Sequence, residues 1–295
     1  MRKRAVKPVV AAILGLLILF LYAGNNWIQV SRLQVKSGDL PQAFDGFKIV
    51  HIGDLHGKEF GPGNANLARM IKKQAPDLIL TSGDMINSRN DDGGAFIALL
   101  NELDGVCPVY CSLGNHEQLV QDRDQNTGTT VFNSFEKSLR GAGGNLLDNQ
   151  RVELSRNGDA IYIYGLTTAL YHYTGGDTAY WEGADLKAEF LEDRLGPPAQ
   201  DRYNILLAHN PKYFGVYRDW GAHLILAGHI HGGIIRLPYL GGVFSPDITF
   251  FPPYDAGLYR LGESQMYVTR GLGNSTIPFR LLNRPEVTII ELIRE

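Results

Sequence analysis

Five short stretches of this chain end in side chains able to hold metal ions. They are Asp54-Leu55-His56, Ser82-Gly83-Asp84, Gly114-Asn115-His116-Glu117, His209-Asn210-Pro211 and Gly228-His229-Ile230-His231. Each follows an apolar run: Ile49–Ile52, Leu78–Leu80, Val109–Tyr110, Ile205–Leu207 and Leu224–Leu226. Short apolar runs with β-branched residues read as buried strands. Side chains two apart on extended backbone share a face, so Asp54 and His56 leave their strand end together. In α/β folds, ligands bind where parallel strands end. A site of Asp, Asn and His without thiolate suits Mn, Fe or Zn better than softer metals.

The ordered set Asp-x-His, Gly-Asp, Gly-Asn-His-Glu, His and Gly-His-x-His resembles the calcineurin-like metallophosphoesterase superfamily. Phe44-Asp45-Gly46-Phe47 and Arg270-Gly271-Leu272-Gly273-Asn274 resemble its membrane-attached bacterial branch. The resemblance implies an α/β fold of layered β-sheets flanked by helices. It also implies two divalent or trivalent transition-metal ions about 3.5–4 Å apart, sharing a hydroxide that attacks phosphorus. Asp54, His56, Asp84 and His231 would hold one ion. Asp84, Asn115, His209 and His229 would hold the other, with Asp84 as the bridge. His116 is then left to face the leaving-group oxygen as an acid or a hydrogen-bond donor, its ring oriented by Asn87, which stands where phosphatase-like relatives carry an aspartate.

The same resemblance bears on the reaction. Serine/threonine phosphatases of this superfamily carry arginines that grip a dianionic phosphate bidentately. Here those positions are Ser88 and Leu113, with Arg89 one residue away. A phosphodiester carries less charge and needs less clamping, so diester cleavage is expected ahead of phosphomonoester removal. A nuclease is disfavoured because phosphate contacts dominate nucleic-acid affinity and the net charge is −3. A binding module with a degraded site is disfavoured because no ligand position is missing.

The elements around the motifs follow from periodicity. Val30–Leu40 alternates weakly, as an edge strand would. Asn64–Gln74, Ala95–Leu103, Thr129–Leu139 and Leu186–Leu195 read as helices, and strand–helix–strand order predicts a mostly parallel sheet with helices on its faces. Gln118–Asn126 is polar and reads as a loop. Arg151–Tyr164 reads as a hairpin about Asn157-Gly158, the pair a type I′ turn demands. Gly257–Leu261, Met266–Thr269 and Val287–Leu292 complete the strands, after irregular Pro-rich chain.

Apolar content of 44% in 295 residues suffices for one large domain. That domain is expected over 30–295, after a membrane anchor or signal segment over 1–29. Arg2, Lys3, Arg4 and Lys7 precede the uncharged run Val9–Ala23. The cations favour a single-pass anchor in the cell membrane with the catalytic domain outside the cytoplasm. Secretion after signal cleavage is the alternative, weakened by a poor cleavage site at Leu21-Tyr22-Ala23. A small-molecule or lipid-linked phosphoester is the expected substrate. Cys107 and Cys111 would be about 13 Å apart on extended chain, too far to bridge. Tyr171, His172, Tyr173, Tyr180 and Trp181 crowd one loop, either as an aromatic staple or as a cap over the metals. His51, His172 and His223 fit no motif and are expected to be structural.

Overall fold

The fold is described by a computed structural model covering residues 3–174, 185–274 and 277–295. Its layers follow from strands that are apolar on both faces. Sheet A takes the order β1 (Gln29–Ser37), β14 (Glu286–Arg294), β2 (Lys48–Ile52), β3 (Leu78–Thr81), β4 (Val109–Cys111) and β5 (Gly144–Leu146). Sheet B takes the order β12 (Gly257–Leu261), β13 (Ser264–Val268), β9 (Leu224–Ala227), β8 (Tyr203–Ala208), β7 (Asp159–Leu166) and β6 (Gln150–Arg156). The strands β2 to β5 are mutually parallel, as are β7, β8, β9 and β13.

The two sheets pack face to face. Ile49, Leu78, Leu80 and Ile290 of sheet A meet Ile161, Ile163, Ile205, Leu207, Leu224 and Leu226 of sheet B in one buried cluster. The alternate residues face outward. Val50, Ile52 and Ile79 pack under α2 (Ala65–Lys72), α3 (Gly94–Glu102) and α5 (Val131–Gly141). Leu206, Ile225 and Met266 pack under α7 (Ala188–Leu195) and α8 (Phe214–Trp220). The result is four layers, helix–sheet–sheet–helix. These are the layered β-sheets flanked by helices that the resemblance implies; strand–helix–strand order alone pointed to one sheet with helices on its faces, whereas one face of each sheet is covered by the other sheet. A strand buried on both sides reads as a continuous apolar run whichever partner covers it.

Local expectations fare variously. The Asn157-Gly158 turn has φ of 50° and 89° between β6 and β7, as type I′ requires. Between β9 and β12, the chain expected to be irregular contains a short hairpin, β10 (Ile235–Leu237) with β11 (Gly241–Phe244). Residues 118–126, expected to be a loop, belong to α4 (Asn115–Thr127). Tyr171–Thr174 forms the short α6, and Tyr180 and Trp181 lie outside the described residues. Cys107 and Cys111 are free thiols, and burial pushes them up to about 11 and about 12 respectively.

The first element, α1 (Lys3–Asn26), changes one expectation. Among the described residues, no helix is long and apolar enough to cross a membrane. The expectation of a membrane-spanning anchor with an exported catalytic domain is corrected accordingly. Lys3, Arg4 and Lys7 occupy the start of α1, leaving Val9–Ala23 as its uncharged part. That is about 22 Å of helix against a hydrocarbon core of about 30 Å. The helix end docks on the body, where Asn25 Oδ1 accepts from Asn274 and Arg284 Nε donates to the Trp27 carbonyl.

Candidate metal centre

The parallel strands of both sheets end at one place, and the chain turns sharply there. Asp54 and His56 follow β2, Asp84 follows β3, and Asn115 opens α4 just past β4. His209 follows β8, while His229 and His231 follow β9. Asp54, His56, Asp84, His229 and His231 all have left-handed backbone, with φ between 50° and 71°. Non-glycine residues in that region cluster at functional sites. Close backbone approach holds the turns together. A Cβ on either Gly83 or Gly114 would collide with the facing turn, the first with the Gly114 nitrogen and the second with Asp84 Oδ1.

Three overlapping groups of ligand atoms result: Asp54, His56 and His231; His56, Asp84 and His116; and Asp84, His209 and His229. Within each group the ligand atoms lie within 4.8 Å of one another. Asp84 Oδ2 is 3.1 Å from His209 Nε2 and 3.8 Å from His56 Nε2. Asp54 Oδ1 lies 3.6 Å from His231 Nε2 and 3.9 Å from His209 Nε2. The donor set passes a direct test for metal binding. The Nε2 atoms of His56 and His231 face each other at 3.1 Å. Asp54 Oδ2 and Asn115 Oδ1 are buried without a hydrogen-bond partner among the described residues. Buried polar groups are ordinarily paired, and oxygen and imidazole donors converging this way suit divalent cations.

Electrostatics point the same way. Burial pushes the imidazoles of His56 and His229 down to about 3 and that of His231 well below its usual range. These rings are therefore neutral, the form that binds metal. Burial also pushes the Asp54 carboxyl up to about 7. Burial would raise Asp84 too, but the rings of His209 and His116 outweigh it and hold that carboxyl well below its usual range. Burial would lower His209, yet the charge of Asp84 carries it up to about 9. His209 Nδ1 lies 2.7 Å from the Ser82 carbonyl, which fixes the proton on Nδ1 and turns Nε2 toward the carboxylates.

His116 is half-buried beside this group, its ring 4.5 Å from that of His56. Its Nδ1 accepts from the Ser88 backbone N–H at 3.0 Å, so the proton of the neutral ring sits on Nε2. Asn87 was expected to orient this ring, but its side-chain oxygen accepts from the Arg89 N–H instead. Leu113 is buried and Arg89 is exposed. Arg123 spends its guanidinium on the carbonyls of Ser88 and Arg89.

Two supporting residues carried no legible role in the sequence. Glu117 is buried, and its carboxylate accepts from the backbone N–H groups of Asp84, Met85, Ile86 and Gly114 at 2.7–3.1 Å. Its place in Gly-Asn-His-Glu was the available signal. Arg280 had none. It is 3% exposed and donates to the Arg270 carbonyl and Asn274 Oδ1, with Nη2 3.2 Å from His231 Nδ1. Tyr173 packs its ring 5.1 Å from that of His229 and 5.8 Å from that of His209. His51 hydrogen-bonds Ser82 Oγ at 2.9 Å, His172 packs on Tyr213, and His223 Nδ1 accepts from the Asn204 N–H; none of the three belongs to a ligand group.

Comparison with known proteins agrees with this geometry. Residues 47–233 match the family model described as calcineurin-like phosphoesterase. The chain is 32% identical to the metallophosphoesterase YkuE of Bacillus subtilis over 92% of its length and 87% of the relative's. It is also 32% identical to the phosphodiesterase YaeI of Escherichia coli, over 92% of its own length and 91% of the relative's. The solved structure of TT1561 from Thermus thermophilus aligns with 77% of this chain and 90% of its own, at TM-score 0.44 and 13% identity. A family match across the site-bearing strand ends of both sheets leaves one conclusion: the chain belongs to the calcineurin-like phosphoesterase family, whose members are metal-dependent phosphoester hydrolases.

Proposed function

We propose that this protein hydrolyses phosphodiesters at a dinuclear metal centre. The observation that carries the reading is two ligand groups, Asp54/His56/His231 and Asp84/His209/His229, meeting at parallel strand ends with Asp84 reaching toward both. Asp54, His56, Asp84 and His231 would hold one ion, and Asp84, Asn115, His209 and His229 would hold the other. Bound there, two divalent ions would supply Lewis acidity and an activated water. The protein supplies orientation and a hydrogen-bond donor. His116 presents an Nε2–H, because Ser88 occupies Nδ1 with a donor. That N–H can donate a hydrogen bond to the leaving oxygen, which counts most for a poor leaving group such as the alkoxide of a diester.

The preference for a diester rests on what surrounds the centre. A dianionic monoester calls for a bidentate guanidinium, and the two positions that would offer one are a serine and a buried leucine. The Escherichia coli relative is named a phosphodiesterase, in keeping with this reading.

The test is direct. Protein stripped by chelator should be inactive and recover with Mn²⁺. The loaded enzyme should hydrolyse bis-p-nitrophenyl phosphate with a higher kcat/KM than p-nitrophenyl phosphate. A clear preference for the monoester makes the enzyme a phosphatase, and full activity without metal ends the reading altogether.

A further inference from the structure

Asp54, His56 and His231 rest on one support, built from residues 270–274, Arg280 and the last turn of α1. Residues 270–274 lie against the turn that carries Asp54. The Gly273 N–H donates to the Asp54 carbonyl at 2.6 Å, and the Leu272 N–H to that of Gly53 at 3.1 Å. A Cβ on Gly271 would lie 2.6 Å from Asp54 Cβ, and one on Gly273 would collide with the Leu55 carbonyl. Glycine lets the two backbones meet there. His231 is held from the same side. Its carbonyl accepts from Asn283 Nδ2 at 2.7 Å, and Arg280 Nη2 sits 3.2 Å from its Nδ1. Arg280 is fixed in turn, with Nη1 on the Arg270 carbonyl at 2.6 Å, Nη2 on the Gly273 carbonyl and Nε on Asn274 Oδ1 at 2.9 Å.

The end of α1 closes this assembly. Asn274 Nδ2 donates to Asn25 Oδ1 at 3.1 Å, while Asn25 Nδ2 donates to the Leu21 carbonyl at 2.7 Å within the helix. A Cβ on Gly24 would lie 3.5 Å from the Arg280 carbonyl oxygen, so helix and arginine backbone are in contact range. Lys58, two residues after His56, donates to the Asn25 carbonyl, one of the acceptors that a helix C-terminus leaves open. The end of α1 therefore reaches His231 through Asn274 and Arg280, and the chain next to His56 through Lys58. Ligands of the other ion are braced elsewhere. Glu117 ties the turns that carry Asp84 and Asn115, and the Ser82 carbonyl fixes His209.

We propose that α1 is part of the metal centre: Asn25, acting through Asn274 and Arg280, is a positioning residue for the ion that Asp54, His56 and His231 would hold, an inference that rests on the two-ion reading above. Partners of metal ligands set their orientation and the affinity of the site. Loosening the last turn of α1 then weakens one ion and spares the other.

Calorimetric titration of chelated, full-length protein with Mn²⁺ tests this without any substrate. Wild type should bind two ions per chain. Arg280→Lys should weaken one of them about 10–100-fold, and Asn25→Leu, two links further out, roughly three- to tenfold. Asn25→Asp keeps the oxygen that Asn274 needs and should restore the affinity. Asn26→Leu, on the exposed side of the same turn, should change nothing. Single-ion backgrounds identify the ion. With His229→Ala, the remaining ion should weaken on Asn25→Leu; with His231→Ala, it should not. Electron paramagnetic resonance gives a second readout. At a Mn²⁺ concentration that just fills wild type, the broad signal of a coupled pair should give way in Asn25→Leu to the hyperfine-split signal of an isolated ion. Equal weakening of both ions, or of neither, overturns the proposal, as does an Asn25→Asp variant no better than Asn25→Leu. If wild type binds a single ion, the two-ion reading falls. The positioning role then stands if that ion weakens on Asn25→Leu and recovers with Asn25→Asp, and falls too if it does not.

Discussion

At the scale of single residues, the centre combines legible chemistry with illegible geometry. The seven proposed ligands were readable because each follows an apolar strand run in a recurring block. That five of them sit in left-handed backbone was not readable, since Asp and His occur in every backbone region. Nor was the guanidinium of Arg280 behind His231, which comes from a loop 49 residues further along the chain. His116 separates the two kinds of information, because its motif position implied a proton donor and the Ser88 contact says which nitrogen carries the proton. His116→Ala should retain both metal ions by elemental analysis and lose roughly 10²–10⁴-fold in kcat. The loss should shrink for leaving groups as good as p-nitrophenolate, and loss of an ion in this variant would return the residue to the ligand set. His51 supports a second prediction. Burial pushes its ring down to about 3, so it is neutral in the folded chain, whereas the unfolded chain protonates it near 6.5. The folded pKa is depressed, so its contribution is full above 6.5 and declines as pH falls through that value toward 3. In chelator, the urea midpoint of wild type should drop between about pH 7 and about pH 5. His51→Phe should show a shallower drop, and an identical slope would remove His51 from the account.

At the scale of elements, α4 shows where periodicity fails. Its 13 residues include only two large apolar side chains, Leu119 and Val120, so no amphipathic stripe marks it as a helix. The segment is helical because its first turn is fixed from outside: Glu117 binds the N–H of Gly114, the residue just before the helix, and three N–H groups of the loop after β3. One carboxylate thereby ties the turn bearing Asp84 to the helix bearing Asn115 and His116. Glu117→Gln preserves shape but presents an NH₂ where an acceptor is needed, leaving one or two buried N–H groups unpaired. It should destabilise the chain by about 1–3 kcal/mol in denaturant titration and weaken metal affinity in parallel. A variant of unchanged stability would mean that water replaces the lost acceptor.

At the scale of the whole molecule, the family motifs implied layered sheets, but the strand runs by themselves did not show two sheets pairing, because alternation disappears when both faces are covered. That pairing has a mechanical consequence. Each sheet supplies part of the centre, β2 to β4 on one side and β8 and β9 on the other, so the ligand geometry depends on the packing between sheets. Ile163 on β7 is buried in that interface and belongs to a strand that carries no ligand. Ile163→Ala should cost about 2–5 kcal/mol. Unfolding followed by far-UV and near-UV circular dichroism should remain one coincident transition, and separate transitions would show that the two sheets fold independently.

The strand order of sheet A also sets a timetable. The Asp54-bearing strand β2 pairs on one side with β14, through Thr288↔His51 to Glu291↔Lys48, and β14 in turn pairs with β1 through Gln29↔Glu286 to Ser37↔Arg294. These partners are more than 230 residues apart in sequence. During synthesis, β1 and β2 leave the ribosome early and then wait for almost the entire remaining chain before their shared neighbour arrives. Until it does, the strand that delivers Asp54 and His56 has an open flank, and every other ligand has already been made. Such distant pairing slows folding and leaves an unpaired edge exposed in the nascent chain. The last strand to emerge carries none of the proposed ligands, yet it closes the sheet that delivers four of them.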